Sequence, residues 1–475
     1  MTLSIFQAAR DAGDREALVC DGVRSSFAGL AQRAAQRSHE LRALGVPALA
    51  ERPVALVVDG GLAMFEFLYA LFALGVPVLP IHPRLTPLER AALLKASAAW
   101  TLIDPALARP FSGAPSVLPE PAPTPDARAL VFVPSSGSGG APKLVELSRR
   151  AFLALASADA EHVPPLASDR ALLCLPLSHV GGLSVVIRSL LARRACVVFR
   201  TPGSSLLHAA TELAATLVEE RISLLSLVPP VLARLLREAP DFGRTTALRA
   251  VLLGGQACTP ELFEQARARG IPVLTSYGLS ETCSQVATLA FPPPLRAPVR
   301  SGVVSSGFPL PGVTVRVCDG LIEVRGPTLF SGYVAAPSAL DADGFFATGD
   351  RGELDPELGL FVFGRASELI ISGGENVDPS EVEHALLASG GLEAACVFGI
   401  PDPDFGARIA AALEPRGDFD EQALFSALDQ RLASFKQPRA VCVFDELPRL
   451  GSGKLDRARI RSAASHELRA PRRGR

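Results

Sequence analysis

Ala129-Leu130-Val131-Phe132-Val133-Pro134-Ser135-Ser136-Gly137-Ser138-Gly139-Gly140-Ala141-Pro142-Lys143 joins an apolar run to a serine- and glycine-rich loop that ends on a lysine. The apolar run Ala129–Val133 predicts a strand. Glycines let backbone N–H groups come close to an anion, the hydroxyls add donors, and Lys143 adds positive charge. Clusters of serine and glycine are also ordinary loop material. A position straight after an apolar strand favours a ligand loop. Two familiar phosphate patterns do not fit. Lys143 is followed by Leu144, so GxxxxGKS/T fails, and no GxGxxG opens onto a helix.

Working outward, short apolar runs alternate with helical patterns on both sides of this loop. Val54–Val58 precedes a helical pattern over Leu62–Leu74, and a short strand, Val76–Leu79, follows it. Ala171–Leu175, Ala195–Phe199, Leu224–Leu227 and Ala250–Leu253 recur as strands between helices. This alternation predicts sheets with helices on their faces. Pro105 to Pro125 reads as a surface connection. After Pro292 the runs shorten (Val313–Val317, Leu321–Val324, Leu360–Phe363), separated by Gly, Pro and Asp, which predicts a compact β-rich unit. From about Arg365 a small α/β segment follows, with Ser380–Ala388 as a helix and Ala395–Gly399 as a strand. The basic tail Glu467–Arg475 is expected to fray.

The chain has 475 residues, which at ~150 residues per domain suggests about three units. Hydrophobic residues make up 48% and charged residues 20%, so sizeable cores are available and wholesale disorder is excluded. A formal net charge of −2 gives no reason to expect nucleic acid or an anionic membrane as partner. Met1 to Asp21 carries Asp11, Asp14 and Glu16 and lacks the pattern of a secretory signal. The most apolar stretch, Gly61 to Ile81, is broken by Glu66, Gly75 and Pro77, so a buried helix and strand explain it better than a membrane span. Eight scattered cysteines without a CxxC predict reduced, mostly buried thiols and a cytoplasmic protein. Nothing in the sequence fixes an oligomeric state.

The loop Ser135–Lys143 resembles the signature loop of the adenylate-forming superfamily, with Gly139 at a Thr position and Leu144 at a Gly position. The rest of that family's pattern follows in order. Gly254-Gly255 is similar to the glycine pair that lies against adenine. Ser276-Tyr277-Gly278-Leu279-Ser280-Glu281-Thr282 is similar to the segment that stacks a tyrosine on adenine and holds Mg²⁺ with a glutamate. Thr348-Gly349-Asp350 matches the ribose-binding carboxylate. Gly364-Arg365, Ser372-Gly373-Gly374-Glu375-Asn376 and Pro448-Arg449-Leu450-Gly451-Ser452-Gly453-Lys454 match the hinge region and C-terminal domain.

The resemblance implies ATP contacts at Ser135, Ser136, Gly137, Ser138, Gly139, Gly140, Lys143, Gly254, Gly255, Ser276, Tyr277, Gly278, Ser280, Asp350 and Arg365. It implies Glu281 on the metal and Lys454, with Glu281 and His179, as catalytic. Gly373 and Gly374 would line the coenzyme A tunnel, and Ser367 would be the hinge. The implied fold is α/β: a large N-terminal domain (1–363) of two doubly wound sheets plus a β-rich subdomain, a hinge (364–367), and a small mobile α+β domain (368–475). The implied reaction converts a carboxylic acid to an acyl-adenylate with ATP, then transfers the acyl group to a thiol such as coenzyme A. That chemistry suits these residue types, because a displacement at phosphorus calls for cations around the developing charge.

The acid is a separate question. His179 lies in Leu175–Arg188, which leaves an apolar strand and opens a helix. It reads either as a histidine satisfied within the core or as the family's gate to the acyl pocket. Arg188 interrupts the apolar run Leu183–Leu191, and a charge there is costly unless paired. It reads either as an arginine snorkelling to the surface or as an anchor for a second carboxylate on the substrate. The latter arrangement, followed by Ser276–Leu289, resembles one subgroup, the o-succinylbenzoate–CoA ligases of menaquinone biosynthesis. In that reading Ser284 and Thr288 are further polar residues of the acyl pocket. The alternatives are a CoA ligase for another aryl or fatty acid, an enzyme loading a carrier-protein thiol, and a non-catalytic nucleotide-binding relative.

Overall fold

In the computed structural model, residues 2–472 are described except 109, 111–117, 136–142, 201–205, 240, 244–246, 335, 337–338, 373–374, 403–405 and 451–452. The chain builds two large sheets, a smaller antiparallel sheet beside them, and a separate C-terminal sheet. The first large sheet has nine strands, whose central six run parallel in the order Val273–Tyr277, Ala250–Leu253, Leu224–Leu227, Arg170–Leu173, Ala195–Val198 and Glu16–Cys20. The second has six strands, with Leu102–Ile103, Val54–Val57, Val78–Ile81 and Ala129–Ser135 parallel. A continuous apolar core, including Val131, Phe152, Leu183, Ile187 and Val286, fills the space between them. The doubly wound architecture with a β-rich annex is therefore the one expected.

The decisive loop is framed by two strands. Its first strand runs to Ser135, and Lys143 opens a second strand, Lys143–Ser148, which pairs antiparallel with the first through Ser135 and Lys143. The loop thus joins a hairpin rather than feeding a helix, which accounts for the misfit to GxxxxGKS/T. Helix Arg149–His162 starts only after this second strand, capped by Ser148, whose Oγ accepts from the Ala151 N–H at 3.2 Å.

The helix Val180–Leu191, with His179 as its N-cap, begins three residues before the apolar run Leu183–Leu191. Gly182 is needed there, because a Cβ would lie 2.4 Å from the Pro176 carbonyl oxygen. The smaller antiparallel sheet pairs Phe346–Asp355 with Gly359–Arg365, setting Asp350 opposite Arg365. The parallel strands deliver Gly254-Gly255, Tyr277-Gly278 and the Cys174–His179 segment at their C-terminal ends, where α/β sheets place ligands.

Beyond Ile370, five strands and the helices Pro379–Ala388, Glu421–Asp429 and Arg457–Ala464 form a unit with apolar clusters of its own on both faces of its sheet. Val382, Val397 and Phe425 fill one face and Phe398, Ile460 and Ala464 the other. It touches the larger part through Arg237 and Glu393 (2.8 Å) and through Arg351 and Asp378 (3.3 Å). The tail is not frayed as far as Arg472. Arg469 exchanges backbone hydrogen bonds with Val441, and its Nη1 donates to Glu421 at 2.8 Å. Its charge has a carboxylate to pair with, which composition alone did not reveal. Among the described residues, no helix is long and apolar enough to cross a membrane.

Candidate active site

At one end of the crevice, Asp350 is buried and holds two partners. The Tyr277 hydroxyl donates to its Oδ2 at 2.6 Å, and the Arg365 Nε lies 2.8 Å from its Oδ1. Arg365 also donates to the Thr348 carbonyl at 2.8 Å, and the Thr348 hydroxyl accepts from the Asp350 N–H at 3.1 Å. Burial raises the Asp350 carboxyl above its ordinary value, opposed by Arg365 and the Tyr277 hydrogen bond. Burial likewise drives the Tyr277 hydroxyl well above the usual phenol range, so it stays a donor.

Gly278 turns the chain sharply after Tyr277. A Cβ there would sit 1.4 Å from the Ser284 carbonyl oxygen, so no side chain fits. Gly254 is tight but not closed: its Cβ would lie 3.3 Å from the Ser276 carbonyl oxygen.

Ser280 and Glu281 follow in a short 3-10 turn, Ser280–Thr282. The Tyr333 hydroxyl donates to Glu281 Oε1 at 2.8 Å, and Lys143 Nζ lies 5.1 Å from the centre of the Tyr333 ring. Tyr333 reaches this position because Gly332-Tyr333 pairs with Val145-Glu146 of the hairpin. The sequence reading missed it; a lone tyrosine outside any recognised string carried no signal. One carboxylate with an oxygen left over from the Tyr333 bond fits Mg²⁺, which keeps several waters and takes one or two carboxylates plus substrate phosphates.

Lys454 reaches the same crevice from the C-terminal unit. A Cβ on Gly255 would lie 3.2 Å from its Cε and 3.7 Å from its Nζ. Gly255 has a φ of +81°, a conformation that glycine adopts without penalty. Burial lowers the Lys454 ammonium, Arg365 lowers it further, and Asp350 opposes both. His179 lies near enough to respond to Lys454. Burial first, then the charges of Lys454 and His82, push its imidazole down to about 4, leaving it neutral at neutral pH. His179 offers no capping bond to the helix that it begins.

A cavity of about 40 Å³ is walled in part by Asp159, Arg188, Arg194, Ser226, Gln285 and Thr288. Here the expectations need correcting. Arg188 is neither at the surface nor unpaired: it is 8% exposed and donates to Asp159 Oδ1 at 2.6 Å. A buried guanidinium requires an anion, and helix Arg149–His162 supplies one from 29 residues away. Arg188 also donates to Gln285 Oε1 (3.3 Å), to Ser226 Oγ (3.5 Å) and to the Ser184 carbonyl (3.1 Å).

Thr288 lines the cavity, accepting from Gln285 Nε2 at 3.0 Å and meeting Ser276 Oγ at 3.0 Å. Ser284 does not line it; its neighbour Gln285 does. Asp159, Ser226 and Gln285 were all missed, and only Gln285 sat inside a string that the sequence had already singled out.

Ser367 is exposed in a 3-10 turn, Ala366–Glu368, between the antiparallel sheet and the C-terminal unit. Ser135 closes the hairpin through its backbone. Ser136, Gly137, Ser138, Gly139 and Gly140 of the expected phosphate loop, and Gly373 and Gly374 of the expected coenzyme A loop, lie outside the described residues.

Glu281 and Lys454, the latter from the second unit, lie close enough for their charges to act on Asp350, a grouping that suits a nucleotide-dependent acid-activating enzyme. The sequence pattern of the AMP-binding enzyme matches residues 5–334, and that of the AMP-binding enzyme C-terminal domain matches residues 381–454. The chain belongs to the AMP-binding enzyme family.

A 2-succinylbenzoate–CoA ligase of Listeria monocytogenes is 32% identical over 469 residues, covering 94% of this chain and 96% of that one. The o-succinylbenzoate CoA synthetase of Bacillus subtilis, solved in complex with the acyl-adenylate intermediate OSB-AMP, superposes with a TM-score of 0.85 at 28% identity, covering 99% of each chain. A double mutant of the same synthetase bound to its product analogue OSB-NCoA gives a TM-score of 0.68 at 27% identity, covering 97% of this chain and 98% of that one.

Proposed function

We propose that this chain is a 2-succinylbenzoate–CoA ligase, activating the acid with ATP as an acyl-adenylate and passing the acyl group to coenzyme A. The observation that carries this reading is the seating of Lys454 against Gly255, in the crevice that also holds Asp350 and Glu281, together with an arginine-walled cavity. The names and bound ligands of its relatives point the same way.

A carboxylate is a poor electrophile, so the acid attacks the α-phosphate and expels pyrophosphate. Asp350 accepts from the ribose hydroxyls, Tyr277 and Gly254 bracket the adenine, and Lys143, Ser276 and Ser280 line the phosphate side. Glu281 holds Mg²⁺, which when bound offsets phosphate charge. The Lys454 ammonium supplies a point charge where negative charge develops in the displacement. Neutral His179 closes the acyl side without adding charge. Arg188 and Thr288 shape the acid pocket.

For the thiol step, the C-terminal unit (368–475) turns about the hinge 364–367 at Ser367, withdrawing Lys454 and bringing Gly373 and Gly374 toward the larger domain (1–363). Support comes from the higher likeness to the adenylate-bound relative than to its product-analogue complex, at almost the same coverage. Incubation with ATP, Mg²⁺, coenzyme A and 2-succinylbenzoate, followed by mass spectrometry, should yield the acyl-CoA, AMP and pyrophosphate in equal amounts. Formation of ADP, or no thioester from this acid, would overturn the proposal.

A further inference from the structure

Helix Pro229–Glu238 of the larger domain meets the C-terminal unit at both of its ends. Val228, its N-cap, lies against the loop that carries Lys454: a Cβ on Gly453 would be 3.6 Å from Val228 Cγ2. In its last turn, Arg237 Nη1 donates to Glu393 Oε2 at 2.8 Å and Nη2 donates to Oε1 at 3.3 Å. Glu393 stands at the head of strand Leu392–Asp402, so this fork ties one unit to the other. With 10 residues the helix is about 15 Å long. The lysine loop and the ion pair therefore rest on opposite ends of one rigid rod.

Both charges of the fork have a second partner inside their own unit. Arg416 Nε donates to the same Glu393 Oε2 at 3.2 Å, and Glu238 lies 4.0 Å from Arg237. Opening the fork thus strands neither charge, which keeps the cost of opening small. Burial raises the Glu393 carboxyl, but Arg237 and Arg416 outweigh it and hold the group below its ordinary value, ionised at neutral pH. A second ion pair across the units, Arg351 with Asp378 at 3.3 Å, is placed differently. Arg351 stands opposite Gly364 in its sheet, at the proposed hinge, where rotation moves groups least.

We infer that Arg237 and Glu393 form a reversible latch that positions Lys454 for adenylation, and that its release sets how readily the C-terminal unit turns to the thiol step. This rests on the two-orientation scheme proposed above and adds the contact that sets its balance. A half-buried fork with a fallback partner on each side biases one orientation without fixing it.

The test times the two half-reactions of the full-length enzyme separately. One is pyrophosphate release from ATP and 2-succinylbenzoate without coenzyme A; the other is thioester formation from pre-made acyl-adenylate. Arg237→Gln should slow the first about three- to tenfold, through kcat rather than the KM for ATP, and leave the second equal or faster. Glu393→Gln should do the same, and the double variant should be no worse than either, since each removes the same contact. Arg237→Lys keeps the charge but not the fork, and should fall between. Salt at about 1 M, which screens charges beyond about 3 Å, should lower the ratio of the two rates more in the wild type than in Arg237→Gln.

A merely structural pair would lower Tm and slow both half-reactions alike, and that result would overturn the latch. So would an unchanged ratio in the folded variants, or additive losses in the double variant. If neither glutamine variant folds, Arg237→Lys decides, and an unchanged ratio there overturns it equally. Wild-type enzyme that releases no pyrophosphate with this acid, or a Lys454→Ala variant that loses both steps equally, would sink the proposed function, and the latch with it, before any latch variant is compared.

Discussion

The two ends of the site treat charge in opposite ways. At the proposed nucleotide end, charged groups from different elements orient one another: Asp350 between Tyr277 and Arg365, Glu281 under Tyr333, and Lys454 against Gly255. At the proposed acid end, Arg188 and Asp159 are held against each other at 2.6 Å. The nucleotide end is prearranged and needs a ligand only to complete it. The other end is a small enclosed cavity whose arginine already has a carboxylate partner. Mutations should therefore act on binding and chemistry at the first end, and on stability and selectivity together at the second.

The largest effect belongs to Lys454→Ala. Loss of one charge at the displacement should slow adenylation by about 10²–10³-fold, measured by pyrophosphate release. Thioester formation from pre-made acyl-adenylate should fall far less, because the lysine serves only the first step. Equal loss of both steps would break the two-conformation scheme.

Arg188→Ala comes next. It should lower kcat/KM for 2-succinylbenzoate by about 10²–10³-fold and destabilise the fold by up to about 3–5 kcal/mol, since the half-buried Asp159 loses the guanidinium held at 2.6 Å. The double variant Arg188→Ala/Asp159→Ala should regain most of the stability in a denaturant titration but not the acid preference. Recovery of both would make the pair purely structural and erase the contrast between the ends.

Asp350→Ala should weaken ATP by roughly tenfold or more, since a hydrogen bond to a charged acceptor contributes about 1.5–3 kcal/mol. Because the Asp350 carboxyl lies above its ordinary 3.8, it takes up its proton earlier as pH falls. Calorimetric ATP affinity in the wild type should thus start to drop above the usual aspartate range, and the variant should lack that drop. The smallest effect is that of Tyr333→Phe, which removes one hydrogen bond to Glu281. It should raise the Mg²⁺ concentration for half-maximal activity about two- to tenfold, matching roughly 0.5–1.5 kcal/mol, with acid KM unchanged. A shift in acid KM instead would move Tyr333 to the other end of the site.

The same contrast governs what was legible in the sequence. At the nucleotide end, strand ends turn so tightly that the backbone dictates residue types over short strings. Gly278 has no room for a Cβ against Ser284. Such strings can be read one residue after another. The cavity instead gathers side chains from separate elements, as Asp159, Arg188 and Gln285 show. Asp159 sits in a helix whose pattern marks it only as one more polar residue. Arg188 was conspicuous in its apolar run, but its partner was not, because nothing local announces a contact across 29 residues. Strand Lys143–Ser148 escaped for a different reason: the loop drew attention to its lysine as a ligand, and that lysine also begins a strand.

The central claim is that this crevice activates an acid bearing a second carboxylate, before any thiol is present. Exchange of labelled pyrophosphate into ATP, measured without coenzyme A, isolates that step. 2-Succinylbenzoate should support exchange with a kcat/KM at least about 30-fold above that of 4-oxo-4-phenylbutyrate, the minimum expected when a buried charge pair loses one side. Equal exchange with the two acids, or none until coenzyme A is added, would contradict it.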